Sequence, residues 1–253
     1  KGVYPKDVIL EVLGRIRADG AVYKAIDFTG SYVENLNVAG RMTICNMAVE
    51  MGAKTAYMQP NDDVLRYVDQ RAVRPYEVQF TDPDFQYEES YVFDVSKIGP
   101  NLACPSSVEN VHPLSEVIAG GPVRLNQGYI GSCTGGRVED IAIAAQILKG
   151  RHIPAYTRLI IVPASDEVMQ ECMKAGYIQE LMRAGATVTT PGCGACLGAH
   201  EGVLAPGEVC ITSTNRNFPG RMGSTEALMY LASPATVAAS MVNGCITDPR
   251  DFL

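Results

Sequence analysis

Three cysteines sit in glycine-rich stretches where a thiol is free to do chemistry. Cys133 lies in GSCTGGR (131–137), and Cys193 and Cys196 lie in PGCGACLGAH (191–200). Two thiols three residues apart suit a redox disulfide, half of a zinc site or part of an iron-sulfur site. The flanking glycines let backbone amides approach a bulky anionic group, and amides aimed at inorganic sulfide would stabilise its charge. Against a redox pair, Cys193 opens no clear amphipathic helix of the kind that activates such a thiol. Against structural zinc, no second CxxC completes the set, although Cys210 or His200 could add a fourth ligand. Spacing alone therefore favours a metal or cluster site and leaves the alternatives open. Cys45, Cys104, Cys172, Cys210 and Cys245 read as small buried hydrophobes. His112, in a proline-flanked loop, and His152, after a helix, read as surface or packing residues.

These residues need elements to hold them. A third polar segment, TNRNFPGRMGS (214–224), carries Arg216 and Arg221. Each of the three follows a predicted strand: VRLNQGYI, ATVTT and EVCITST. RLIIVPA reads as another strand, and helices are predicted over 138–149, 166–175, 224–232 and about 234–243. Ser165 reads as the cap of the second of these, not as a catalyst. The last has Pro234 in its first turn and Gly244 just beyond its end. Alternation of strand and helix predicts a parallel sheet wrapped by helices, and loops at the carboxyl ends of such strands converge on one cleft. Upstream, residues 6–18 place Val8, Ile9, Val12, Leu13 and Ile16 at helical spacing with a charged opposite side. RMTICNMAVEMGA (41–53) predicts a second helix, striped by Ile44, Met47, Ala48 and Met51 and stopped at Gly52. The acidic, aromatic stretch 80–100 and the Pro/Ser/Asn-rich run to about 113 mark a boundary. The chain thus reads as two α/β units, residues 1–97 and 98–253.

Composition narrows the classes. The 253 residues are 47% hydrophobic, enough for a sizeable core, and 21 basic against 28 acidic residues give a net charge of −7. With no basic run, nothing suits a phosphate backbone, so a nucleic-acid partner is not expected. Eight cysteines in this length are too sparse for a disulfide-stapled secreted domain. No charged-apolar-small leader opens the chain, and no apolar run approaches the roughly 20 residues of a membrane helix. A cytoplasmic chain with no membrane partner is expected. The opening KGVYPKDVIL has no Met, so the chain is also expected to be a processed or truncated piece of something longer.

IGSCTGGRVEDI, PGCGACLGAHEG and TSTNRNFPGRMGS, in that order, with EMGAKTAYMQPND after RMTICNMAV, resemble the aconitase superfamily of iron-sulfur hydro-lyases. Four motifs carry the resemblance across nearly the whole chain. They look most like the separate large subunit of the 3-isopropylmalate dehydratase and homoaconitase type. The resemblance implies two three-layer α/β domains with largely parallel sheets, like the second and third aconitase domains. It also implies a 4Fe-4S cluster on Cys133, Cys193 and Cys196, whose remaining iron keeps open positions for a substrate hydroxyl and carboxylate. The implied reaction is reversible dehydration and rehydration that isomerises a small hydroxy di- or tricarboxylic acid, 2-/3-isopropylmalate first, with homocitrate, citrate and dimethylmalate as alternatives. By the same carry-over, Glu50, Arg216 and Arg221 are catalytic, and Asn46 and Asn215 are amides beside the cluster. Read without it, either arginine could pair with Glu201 or Glu226 on the surface, and Glu50 would sit on a solvated helix face. Where many relatives read Ser-Cys-Thr-Asn, this chain reads Ser-Cys-Thr-Gly at 132–135, which removes one side-chain amide. The resemblance further implies an amino-terminal domain that handles the departing water and a small-subunit partner whose swivelling domain supplies the catalytic base, without which the chain should not turn over. A zinc or redox CxxC protein, or a regulatory relative without its cluster, is the reading from another class.

Overall fold

Helix α1 (Pro5–Ile16) starts where Pro5 presets the first turn and the Asp7 carboxylate accepts the Tyr4 N–H at 2.8 Å. Its apolar stripe is wider than the expected one, because Leu10 is buried with Val8, Ile9, Val12 and Leu13. The first charged turn is not solvated either. Lys6 is 2% exposed and Asp7 fully buried. Burial first of all pushes the Asp7 carboxyl up to about 7, so between about pH 4 and that value the folded chain binds a proton the unfolded chain has released. The stability this contributes is complete below the unfolded pKa and is lost as pH rises through the folded one, at about 1.4 kcal/mol per pH unit inside the window. Lys6 stays charged throughout, its own value being about 8. Thermal melts should therefore show a melting temperature that falls as pH is raised through the window, and falls less steeply in Asp7→Asn. Equal slopes would show that another group titrates.

The computed structural model describes residues 1–253. After α1, strand β1 (Ala25–Asp27) leads through the single turn α2 (Ser31–Glu34) to α3 (Val38–Ala48). One 3-10 turn (Val49–Met51) ends α3 before β2 (Thr55–Tyr57), which pairs in parallel with β1, and α4 (Asp62–Asp69) follows. An irregular stretch then leads to β3 (Asn101–Ala103), β4 (Val111–Pro113) and α5 (Leu114–Ala119). From there the expected alternation appears as β5 (Gln127–Gly131), α6 (Val138–Leu148), β6 (Arg158–Val162), α7 (Asp166–Lys174), α8 (Tyr177–Arg183) and β7 (Thr187–Val188). Strands β8 (Val209–Thr212) and β9 (Leu228–Leu231) and helix α9 (Pro234–Asn243) complete it. The large sheet runs β4-β3-β9-β8-β5-β6-β7, parallel from β9 to β7 and antiparallel at β3 and β4.

One expectation needs correction. Residues 224–232 are not a helix: they form a turn and β9, whose side chains alternate exposed, buried, half-buried, buried. Glu226, Ala227, Leu228 and Met229 are good helix formers, but β8 on one side and β3 on the other offer ladder partners that outweigh propensity. The expected helix 166–175 is present as α7, and a further helix that was not expected, α8, follows it after Gly176 at φ 80°.

Alternation along the strands sends apolar side chains to both faces of the sheet. Ile130, Leu159, Ile161 and Ile211 pack with α6 and α9 residues such as Ile141, Ile147, Val237 and Met241 in one cluster. Tyr129, Ile160, Val162, Cys210 and Met229 pack instead with Ala195, Leu204 and Met222, so the loops after β7 and β8 are anchored on the other face. A third cluster joins α1 and α3 to Ala103 and Leu231. No helix is long and apolar enough to cross a membrane.

Candidate functional site

The three chemical loops are tied to one another by buried groups. Ser213 Oγ, just past β8, lies 3.0 Å from the Gly131 carbonyl and 3.1 Å from the Gly135 carbonyl, and accepts the Gly131 N–H at 3.0 Å. This clamps the β8 loop to the Cys133 loop. A Cβ on Gly135 would stand 2.3 Å from that Oγ, so Ser213 takes up the space a side chain at 135 would need. Tyr129 on β5 donates its hydroxyl to the Cys193 carbonyl at 2.7 Å. Its phenol is pushed upward, first by burial and then by the charges of Cys196, Cys193 and Cys133. Cys133 and Cys193 are exposed, Cys196 is half-buried, and none is in a disulfide. Cys196 ends one hydrogen-bonded turn, its N–H donating to the Cys193 carbonyl at 3.0 Å.

Helix α3 closes the other side. Thr43 Oγ1 donates to the Thr134 carbonyl at 3.0 Å, and Asn46 Nδ2 lies 3.4 Å from the Cys133 carbonyl and 3.3 Å from Thr134 Oγ1. Asn215 Nδ2 lies 3.5 Å from the Asn46 carbonyl. Glu50, one turn on, accepts Arg216 Nε on both carboxylate oxygens, at 2.8 and 3.1 Å. Its side chain is only 9% exposed, and burial raises its pKa against the opposing pull of Arg216. Arg216 thus pairs with Glu50 and not with Glu201 or Glu226. Arg221, close enough to act on Glu50, keeps a buried Nε with no protein partner. All eight residues singled out from the sequence gather here: Glu50, Arg216, Arg221, Cys133, Cys193, Cys196, Asn46 and Asn215.

Three residues at the site escaped that reading. Arg137 donates Nη2 to the Cys133 carbonyl at 2.8 Å and leaves a buried Nε unpartnered. Its place before α6 looks like that of an ordinary helix-start residue. Tyr129 looked like strand core, and Lys6 belonged to the charged side of α1. Of the two further candidate ligands, Cys210 is buried in β8 with its thiol pushed up to about 12 by burial, and His200 is exposed.

No three thiol, imidazole or carboxylate groups converge on a point that would hold a single ion. A cubane cluster places each thiolate on a different iron, so its ligands need not meet at one point. The donor set fits that group: three free thiols, two arginine Nε atoms without partners, and glycine-rich backbone around them.

A family model described as "Aconitase family (aconitate hydratase)" matches residues 1–244. The chain is 50% identical over 248 residues to the probable methanogen homoaconitase large subunit of Methanothermobacter thermautotrophicus, covering 98% of this chain and 57% of that protein. It is 50% identical over 256 residues to 3-isopropylmalate dehydratase large subunit 1 of Methanopyrus kandleri, covering 100% and 60%. With the 3-isopropylmalate dehydratase large subunit of Desulfitobacterium hafniense the identity is 47%, over 98% and 58%. The chain spans about three fifths of the length of these relatives.

Proposed function

This chain belongs to the aconitase family, and we propose on that premise that it is the cluster-holding part of the large subunit of a hydro-lyase. The substrate is a small hydroxy di- or tricarboxylic acid, 2-/3-isopropylmalate in leucine biosynthesis being the first candidate and homocitrate the next. Residues 1–97 and 98–253 are its two α/β units, a small subunit with the swivelling domain is its partner, and the compartment is the cytoplasm. What carries this reading is the gathering of three free thiols, the Glu50–Arg216 pair and the unpartnered Arg221 around the loops after β5, β7 and β8.

Cys133, Cys193 and Cys196 hold the 4Fe-4S cluster. That group supplies, when bound, a Lewis-acidic iron for the hydroxyl that leaves. The protein's own share is positioning. Arg216 and Arg221 bind substrate carboxylates, for which a guanidinium fork has matching charge and geometry. Glu50 fixes Arg216 Nε, so the guanidinium cannot swing towards solvent. Asn46 braces the Cys133 loop against α3, and Asn215 ties the loop after β8 to the same helix, so each offers an amide donor there. Burial of the Glu50 side chain keeps its attraction to Arg216 strong.

Anaerobic reconstitution of the full chain with iron and sulfide should give the broad brown visible absorption of a cluster, and zinc should give none. A chain that binds zinc tightly and takes up no iron and sulfide would refute the proposal.

A further inference from the structure

Lys6 sits where a lysine is least comfortable. It is 2% exposed, and it occupies the first turn of α1, where the helix dipole also disfavours a cation. Its ammonium, whose pKa burial pulls down to about 8, is not bound to a carboxylate. It donates instead to the Thr214 carbonyl at 2.6 Å and the Ser213 carbonyl at 3.2 Å, with Met47 Sδ 3.5 Å away. No other donor reaches either carbonyl. These two peptide units are where the chain leaves β8, and the next two residues are Asn215 and Arg216. A leucine or methionine would fill the same space without desolvating a charge, so packing alone does not explain the residue.

We infer that Lys6 is a positioning residue of the site: its buried ammonium pins the Ser213 and Thr214 carbonyls and so fixes Asn215 and Arg216 against α3 and Glu50. The inference rests on the functional reading above, with Lys6 acting through the loop and not on substrate. It ties α1, which packs on α3, Ala103 and Leu231, to the loop that leaves β8. It also supplies a buried positive charge near Glu50 and Cys196, on which that charge acts.

The test uses the full chain with Lys6→Met, which keeps length and shape, and Lys6→Gln, which keeps an N–H donor without the charge. Amide hydrogen exchange is followed by mass spectrometry, and the reconstituted, reduced cluster by electron paramagnetic resonance. In Lys6→Met, exchange across residues 213–221 should quicken about tenfold or more while β5 and α6 keep their protection, and the resonance should shift from that of the parent. Lys6→Gln should recover part of the protection. If Lys6→Met does not fold, the Lys6→Gln chain is compared with the parent in the same way. Unchanged exchange over 213–221 in a folded variant, or protection lost evenly through α1 and the sheet, would overturn the inference. The exchange readout needs no cluster, so a parent chain that takes up no iron and sulfide refutes the functional reading and leaves this comparison standing.

Discussion

Cys133→Ser, Cys193→Ser and Cys196→Ser are each expected to fold yet hold no stable cluster after anaerobic reconstitution, whereas Cys172→Ser reconstitutes like the parent. Cys133 and Cys193 are exposed and Cys196 half-buried, so replacing sulfur by oxygen leaves the packing almost untouched. What changes is ligation. A serine hydroxyl stays protonated near neutral pH and is a poor ligand for iron, and with only three protein ligands each loss leaves two. Removing groups that merely orient a ligand already costs about 10- to 100-fold in metal affinity, so removing a ligand should cost more. Cys172 is buried in the α7 core, its thiol pushed up to about 11 by burial, and it faces none of the loops. Iron and sulfide analysis with the visible spectrum decides the matter. Loss of the cluster from Cys172→Ser with retention in Cys133→Ser would show the ligand assignment to be wrong.

The residues that could be found from sequence share a reason. Glycine and cysteine have few structural excuses for clustering, so GSCTGGR and PGCGACLGAH stood out, and the strands before them were bounded by strong apolar runs. Long-range relations were harder. Glu50 takes its meaning from Arg216, 166 residues away, and helical spacing alone would have left it in solvent. Lys6 and Asp7 looked like the polar side of an amphipathic helix because periodicity reports a stripe, not whether a second layer covers the opposite side. Here β3 and the β8 loop cover it, with Asn101 donating to Asp7 and Lys6 donating to Ser213 and Thr214. Residues 224–232 failed for a related reason. A four-residue strand between two others is decided by its ladder partners, while Leu-Met-Tyr-Leu satisfies either period over so short a span.

In the assembled enzyme, Arg216→Lys should lower kcat/KM by about a hundredfold or more, and Arg216→Ala further still. Only Nε of Arg216 is used within the protein, on both Glu50 oxygens, and the side chain is 37% exposed. One edge of the guanidinium is therefore held while its Nη edge is free for a substrate carboxylate. Lysine has one compact ammonium and cannot serve a buried glutamate and a carboxylate in the same plane. Truncating one partner of a buried, hydrogen-bonded charge pair costs about 2–5 kcal/mol, and about 1.4 kcal/mol is a factor of ten in rate. The loss has a second signature. Burial already raises the Glu50 pKa and Arg216 opposes that rise. Without the guanidinium Glu50 holds its proton to higher pH, so the acid limb of the pH–rate profile should move upward in Arg216→Ala. Glu226→Gln, on the exposed turn before β9, should change neither rate nor profile. If Arg216→Lys works as well as the parent with an unchanged KM, Arg216 does not bind substrate, and its bond to Glu50 only braces the loop.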